Sequence, residues 1–396
     1  MSTSTTSETV IVVGGGAIGL AAAWALARRG AEVLVLERHG HVHELGSHGG
    51  HTRIIRQAYH EGSRYIGLVR EAEDEWRALG RRREEELLVQ TGLVEFGHPD
   101  NADYAATLSA CRASAVTHER LAPAAARERW PMFHVPAGWE VCYTPSGGYL
   151  RVRACMDALW AEAAAAGAKI RHGVRVRELV LGRDRPRVLL EEGALLPADR
   201  VVVCAGAFTG ALLPGLLPGL VARRRVLAWT TPAPARQEAL ARAPVWAGLT
   251  PEGFFYGFPH LPGYGGFKLA CHTTATFDRV QAGADDATTV DPERVDRAID
   301  DERDLQPLRR FLARYLPDAR GPIELAKVCL YGCTPSWDFL VDLHPADQRV
   351  TVAAGFSGHG FKFAPAIGRI AAELTLGGAA ARTPELFSYA RHRDAR

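Results

Sequence analysis

The stretch Val12–Glu37, VVGGGAIGLAAAWALARRGAEVLVLE, decides the fold. An apolar strand runs into a glycine-rich turn, apolar residues then recur at helical spacing through LAAAWALARRG, and a second apolar run ends in an acid. Strand, turn, helix and strand in that order open a doubly wound parallel sheet. Each special position has a physical task. Gly14 permits the tight turn, Gly16 lets backbone approach a pyrophosphate, Gly19 lets the helix pack closely, and Glu37 can accept hydrogen bonds from an adenosine ribose. Ala23 and Gly30 allow close contact between helix and strand. A lone glycine triplet would be weak, but strand, helix and acid together favour a dinucleotide site over a structural glycine loop.

Two segments of similar character lie far downstream: RVVVCAGAFTGALL (Arg200–Leu213) and a last strand and helix from Val350 to about Leu376. A sheet assembled from three separated pieces leaves the intervening chain to form something else. Those stretches carry short alternating runs, LLVQTGLVEFG and GFFYGFPH, and a helical pattern, ERVDRAIDDERDLQPLRRFLARYL. The expected architecture is therefore α/β: a discontinuous cofactor-binding domain (residues 1–86, 145–220 and 325–396) interleaved with an α+β substrate domain built on an antiparallel sheet (87–144 and 221–324). In AEAAAAGAK, Gly167 can end a helix that begins near Arg151. The distant VVVCAG segment ending at Gly206 and the late glycine-rich turn favour FAD over NAD, because an FAD threads the whole molecule.

With 396 residues, 47% of them hydrophobic, the chain can bury a large core and is expected to form two domains. A formal charge of +2 with interleaved signs gives no footprint for nucleic acid or an anionic membrane, so a small molecule is the expected partner. Seven scattered cysteines fit a reducing compartment better than a disulfide framework. The polar leader MSTSTTSETV and the lack of any run of about 20 apolar residues point to the cytoplasm.

After Glu37 come five histidines, His39, His41, His43, His48 and His51, but no carboxylate or cysteine stands at a recognised ligand spacing, and no metal is expected. TRIIR sets Arg53 and Arg56 three apart, on one face if the turn is helical, where they either pair with acids or await an anion. Cys329 and Cys333 fit neither a redox CxxC nor a zinc knuckle, and by spacing alone are buried apolar thiols. Only four of the 47 basic residues are lysines: Lys169, Lys268, Lys327 and Lys362.

GSHGGHTRIIRQAYHEG, YGFPH followed by KLACH, KVCLY, DLHP and GFSGHGFKF, in that order, resemble the matching segments of monomeric sarcosine oxidase and its relatives, N-methyltryptophan oxidase and pipecolate oxidase. The likeness spans the chain from the N-terminal fingerprint to about residue 376. It implies a glutathione-reductase-type FAD domain with a substrate domain roofing the flavin. It also implies a flavin bonded at its 8α carbon to the sulfur of Cys329. Lys268 resembles the lysine at the flavin N5 side where dioxygen is reduced, Arg56 and Lys362 the pair that grips the substrate carboxylate, and Arg53, Tyr256, His272 and Tyr331 the rest of the pocket wall. Ala17, Ile18, Arg38, Ser47, Thr52, Val176, Gly206, Gly358, His359 and Gly360 join the glycines and Glu37 as cofactor contacts, and Lys362 would also reach the flavin. At Gly49 and His51 the chain departs from the family pattern.

The expected activity is oxidation of an N-methyl or cyclic secondary amino acid to an imine, with dioxygen reduced to hydrogen peroxide, by a monomer. The alternatives are an amine dehydrogenase or cyclic-imine oxidase of the same fold in a biosynthetic pathway, and a non-catalytic FAD-binding subunit.

Overall fold

The computed structural model describes residues 7–182, 184–274 and 288–394. The opening six residues, the stretch 275–287 of the expected substrate domain and the last two residues lie outside these. The apolar run Thr9–Val13 is the inner strand of a six-stranded sheet. Glu32–Leu36 and then Lys169–Arg171 flank it on one side, and Arg200–Val203 followed by Asp347–Ala354 on the other, all parallel. Leu340–His344 closes the edge as an antiparallel hairpin with Asp347–Ala354. Helix Ala17–Ala27 is buried along most of its length because it lies between the sheet, helix Val152–Ala165 and helix Ala364–Gly377. Small residues make this possible: a Cβ on Gly368 would stand 2.5 Å from the carbonyl carbon of Ala21. Gly167 ends helix Val152–Ala165 two residues past its last turn, at φ +100°.

The second large sheet is antiparallel except where Leu93–Gly97 runs parallel to Val245–Thr250. Its strands alternate in the two-residue period of a pleated sheet, so each face has its own task. Phe255, Phe267, Leu269, Val226 and Val328 face helix Gln306–Tyr315, where Phe311 stacks on Phe255 with ring centroids 4.4 Å apart. The residues between them, Tyr256, Lys268, Ala270, His272, Cys329 and Tyr331, turn to the opposite face, toward the parallel sheet. A small sheet of Thr52–Ile55, Gly148–Arg151 and Leu88–Gln90 lies between the two.

Three sequence readings need correction. TRIIR is a strand, Thr52–Ile55, paired with Gly148–Arg151, so Arg53 and Arg56 are not helical neighbours; the β-branched pair Ile54–Ile55 favours the extended ladder. The helical pattern from Glu293 forms a helix only from Asp301, as one π-helical turn continued by Gln306–Tyr315. Asp300 caps that end by accepting the Arg303 N–H at 2.7 Å, an alternative to continuing helix upstream. Strand Ile323–Cys333 pairs along its length with Val221–Thr230, so residues 325–333 extend the antiparallel sheet, not the parallel one.

Candidate active site

A cavity of about 340 Å³ runs from the C-terminal ends of the parallel strands to the antiparallel sheet. Gly14, Gly16, Ala17, Ile18, Glu37, Arg38, Ser47, Val176, Gly206, Gly358 and Gly360 line it, together with Arg53 and Tyr331. Glycine is obligatory at its crowded turn and just behind it. A Cβ on Gly14, which sits at φ +103°, would be 2.4 Å from the Cys204 carbonyl oxygen, and one on Gly19 would be 1.8 Å from the Gly14 oxygen. Glu37 accepts the Gly15 N–H at 2.7 Å and the His39 N–H at 2.8 Å. Burial pushes its pKa up, but contact with His43 and these backbone donors outweigh burial and hold it at about 2. His48, 8% exposed, lines the same cavity with its Nε2 unpartnered, and burial holds it neutral, its pKa down at about 3. A cleft with glycines at its strand-end turns, an ionised acid in its wall and an unsatisfied imidazole inside fits an adenine dinucleotide.

A smaller cavity of about 60 Å³ adjoins it, with Arg53, Gly358 and Phe361 as shared walls. Its other walls include Arg56, Glu61, Phe254, Tyr256, His272, His359 and Lys362. Buried charge dominates here. Arg56 bonds Glu95 at 3.1 Å and Glu61 at 3.0 Å; burial disfavours its charge, but the two carboxylates more than offset this and raise its pKa. Lys362 donates to the His359 carbonyl at 2.9 Å, and burial together with Arg56 brings its pKa down to about 7. The Tyr59 hydroxyl lies 2.6 Å from His359 Nδ1, and His359 Nε2 lies 3.4 Å from the Trp337 carbonyl; with burial holding this ring neutral, Tyr59 donates to Nδ1 and Nε2–H donates to Trp337. His272 Nδ1 lies 3.3 Å from the Tyr331 hydroxyl and is likewise held neutral by burial.

The site residues named from sequence thus converge, with differences of depth. Gly19, Lys268, Thr52 and Cys329 line neither cavity, and His359 and Lys362, named as cofactor contacts, line only the smaller one. Lys268 donates to the Thr52 carbonyl at 2.8 Å, and burial, helped by Arg53, holds its pKa well below the ordinary lysine value. The Cys329 thiol lies 3.7 Å from the Ser47 carbonyl and 3.9 Å from Arg53 Nη2. Of the histidine-rich loop, His41 bonds Asp157 at 2.6 Å and His43 approaches Glu37 at 3.4 Å. Among the described residues no three ligating side chains are grouped as a metal site, and no helix is long and apolar enough to cross a membrane. Sequence reasoning gave no role to His48, Tyr59, His60, Glu61 or Glu95. Four of these stand inside the motif GSHGGHTRIIRQAYHEG, where their density was the available signal.

The geometry defines a two-sheet protein with a dinucleotide-binding cavity. Residues 9–374 match the family described as DAO, FAD dependent oxidoreductase, and the chain belongs to it. It is 32% identical to monomeric sarcosine oxidase from Bacillus sp. over 96% of this chain and 95% of that one. It is also 32% identical to N-methyl-L-tryptophan oxidase from Salmonella heidelberg, over 93% and 94% of the two chains. The open form of NikD, an unusual amino acid oxidase essential for nikkomycin biosynthesis, superposes with a TM-score of 0.78 at 29% identity, covering 96% of both chains.

Proposed function

We propose that this FAD-dependent oxidoreductase is an oxidase of a small secondary amino acid, acting at the C–N bond with dioxygen as acceptor. The observation that carries the reading is the shared wall: the cavity lined by Arg56 and Lys362 adjoins the cofactor cavity across Arg53, Gly358 and Phe361. The bound flavin would supply the two-electron acceptor that takes a hydride equivalent from the carbon beside nitrogen and passes the electrons to dioxygen. Arg56 and Lys362 would bind the carboxylate, while Tyr256 and His272 in the wall of the smaller cavity, with Tyr331 in the adjoining one, would border the amine without adding charge, which suits an amine bound in its neutral form. Lys268 stands behind Thr52 with its ammonium disfavoured by burial, so negative charge developing beside it favours uptake of a proton there.

A cavity of about 60 Å³ suits sarcosine, proline or pipecolate better than N-methyltryptophan. Placement of those charges supplies most of the protein's share of catalysis. Cys329 is the proposed covalent anchor, through its Sγ; acid-precipitated protein would keep its colour, and a Cys329→Ala pellet would lose it. The discontinuous domains proposed are 1–86, 145–220 and 334–396 for the cofactor and 87–144 with 221–333 for the substrate, working as a cytoplasmic monomer. The deciding experiment is a panel of the four amino acids monitored by flavin bleaching under nitrogen, with peroxide measured per turnover. Bleaching by none of them would overturn the reading, and bleaching without peroxide in air would replace oxidase with dehydrogenase.

A further inference from the structure

We propose that Glu95 is a positioning residue, the resident counter-ion of Arg56, which takes up a proton when a carboxylate ligand reaches that arginine. The inference rests on the carboxylate-binding role proposed for Arg56. All four Nη protons of Arg56 are already directed: Nη1 to the Ala58 carbonyl at 2.9 Å and to Glu95 Oε1 at 3.1 Å, Nη2 to His60 Nδ1 at 3.1 Å and to Glu61 at 3.0 Å. An arriving carboxylate therefore meets a cation that two acids already neutralise.

The two acids are not equivalent. Glu61 stands in a cavity wall, on the irregular segment after Thr52–Ile55. Glu95 is fixed in the middle of strand Leu93–Gly97, paired with Cys142 on one side and Ala247 on the other, and is 0% exposed. Its Oε1 bonds Arg56; its Oε2 has no hydrogen-bond partner. The titratable groups that face it are Arg56 and Glu61, Cys142 on the paired strand, and Tyr104 on helix Ala102–Ala113 with Cys111 behind. Strand Val245–Thr250 brings none, and Lys362 lies across the small cavity. Arg56 is thus the cation on which the Glu95 charge depends.

A third carboxylate on one guanidinium leaves the deepest acid with the least compensation, and its vacant oxygen can carry an O–H. The proton comes from solvent and no bond other than O–H is formed. Burial already pushes the Glu95 pKa up to about 7, so the exchange falls near neutrality. Lys362, also at about 7, takes a second proton as the same anion binds. Both effects weaken anion binding as pH rises: above neutrality the free site has lost protons that the bound site must regain.

The test uses the holoenzyme and propionate, which carries the carboxylate without the amine, titrated from pH 6 to 9 by the flavin visible spectrum. The slope of log Kd against pH counts protons taken up. Calorimetry in buffers of different ionisation heat counts them again without the flavin signal. Expected is a slope approaching two for the unaltered enzyme above pH 7.5, falling to one in Glu95→Gln and recovering in Glu95→Asp. An unchanged slope in Glu95→Gln overturns the proposal. Should that variant not fold, Lys362→Met decides: a remaining slope of one supports Glu95, and a flat line overturns it. Failure of propionate to bind at any pH would remove the carboxylate-binding reading together with this one, whereas normal binding with only a Lys362-dependent slope would remove Glu95 alone.

Discussion

The two cavities that meet at Arg53, Gly358 and Phe361 are held together differently. The larger depends on backbone at its tightest points, where Gly14, Gly16, Gly206, Gly358 and Gly360 line it, with Glu37, Arg38 and His48 among its side-chain walls. The smaller is walled by side chains that carry or have surrendered charge: Arg56 between two carboxylates, Lys362 with its pKa near 7, and His272 and His359 held neutral. The difference separates two ways of holding a ligand. A backbone cleft is fixed by sterics and tolerates almost no substitution, whereas a charged pocket is fixed by compensation, so that removing one member changes the state of the others.

The largest effect should come from breaking the cleft. Gly19→Val puts a Cβ within 1.8 Å of the Gly14 oxygen, and flavin content should fall to about a tenth of normal or less, measured as the flavin-to-protein absorbance ratio. Breaking compensation should be next: Arg56→Ala strands Glu61 and Glu95, with a loss of about 3–5 kcal/mol in denaturant stability and weaker binding of carboxylate ligands. Double replacement with Glu95→Gln should restore part of the stability but none of the binding.

Lys268→Met sharpens the comparison from behind the wall, through Thr52. Reoxidation of reduced flavin in stopped flow should slow by about 10²–10³, while anaerobic reduction changes far less; equal losses in both half-reactions would remove Lys268 from the dioxygen step. The smallest effect belongs to Tyr59→Phe, which deletes the hydroxyl bonded to His359 at 2.6 Å and should cost about 1 kcal/mol of stability with flavin content unchanged.

The same contrast explains what the sequence made legible. Gly14, Gly16, Gly19 and Glu37 act within one local unit of strand, turn and helix, so spacing alone exposes them. Lys268, His272, Cys329 and Tyr331 alternate with core residues on long strands, and resemblance to known motifs singled them out. The extended conformation of TRIIR is hidden in the sequence because three-residue spacing also suits a helical turn and the ladder partner Gly148–Arg151 lies nearly a hundred residues away. Glu95 was invisible for a related reason. In LVEFG it reads as the polar beat of an alternating strand, and only tertiary pairing with Arg56, 39 residues earlier, turns that beat inward.

Arg53 lends its guanidinium to three carbonyls of one short segment: Ser47 at 2.9 Å, Gly49 at 2.5 Å and Thr52 at 2.9 Å. The first of these also faces the Cys329 thiol and the last holds Lys268. One arginine therefore splints the backbone on which both the Cys329 thiol, proposed as the anchor, and the Lys268 amine, proposed for the dioxygen step, are registered. Damage to that splint should travel to both at once, so that slow flavin attachment and sluggish reaction with air would be inherited as a single defect.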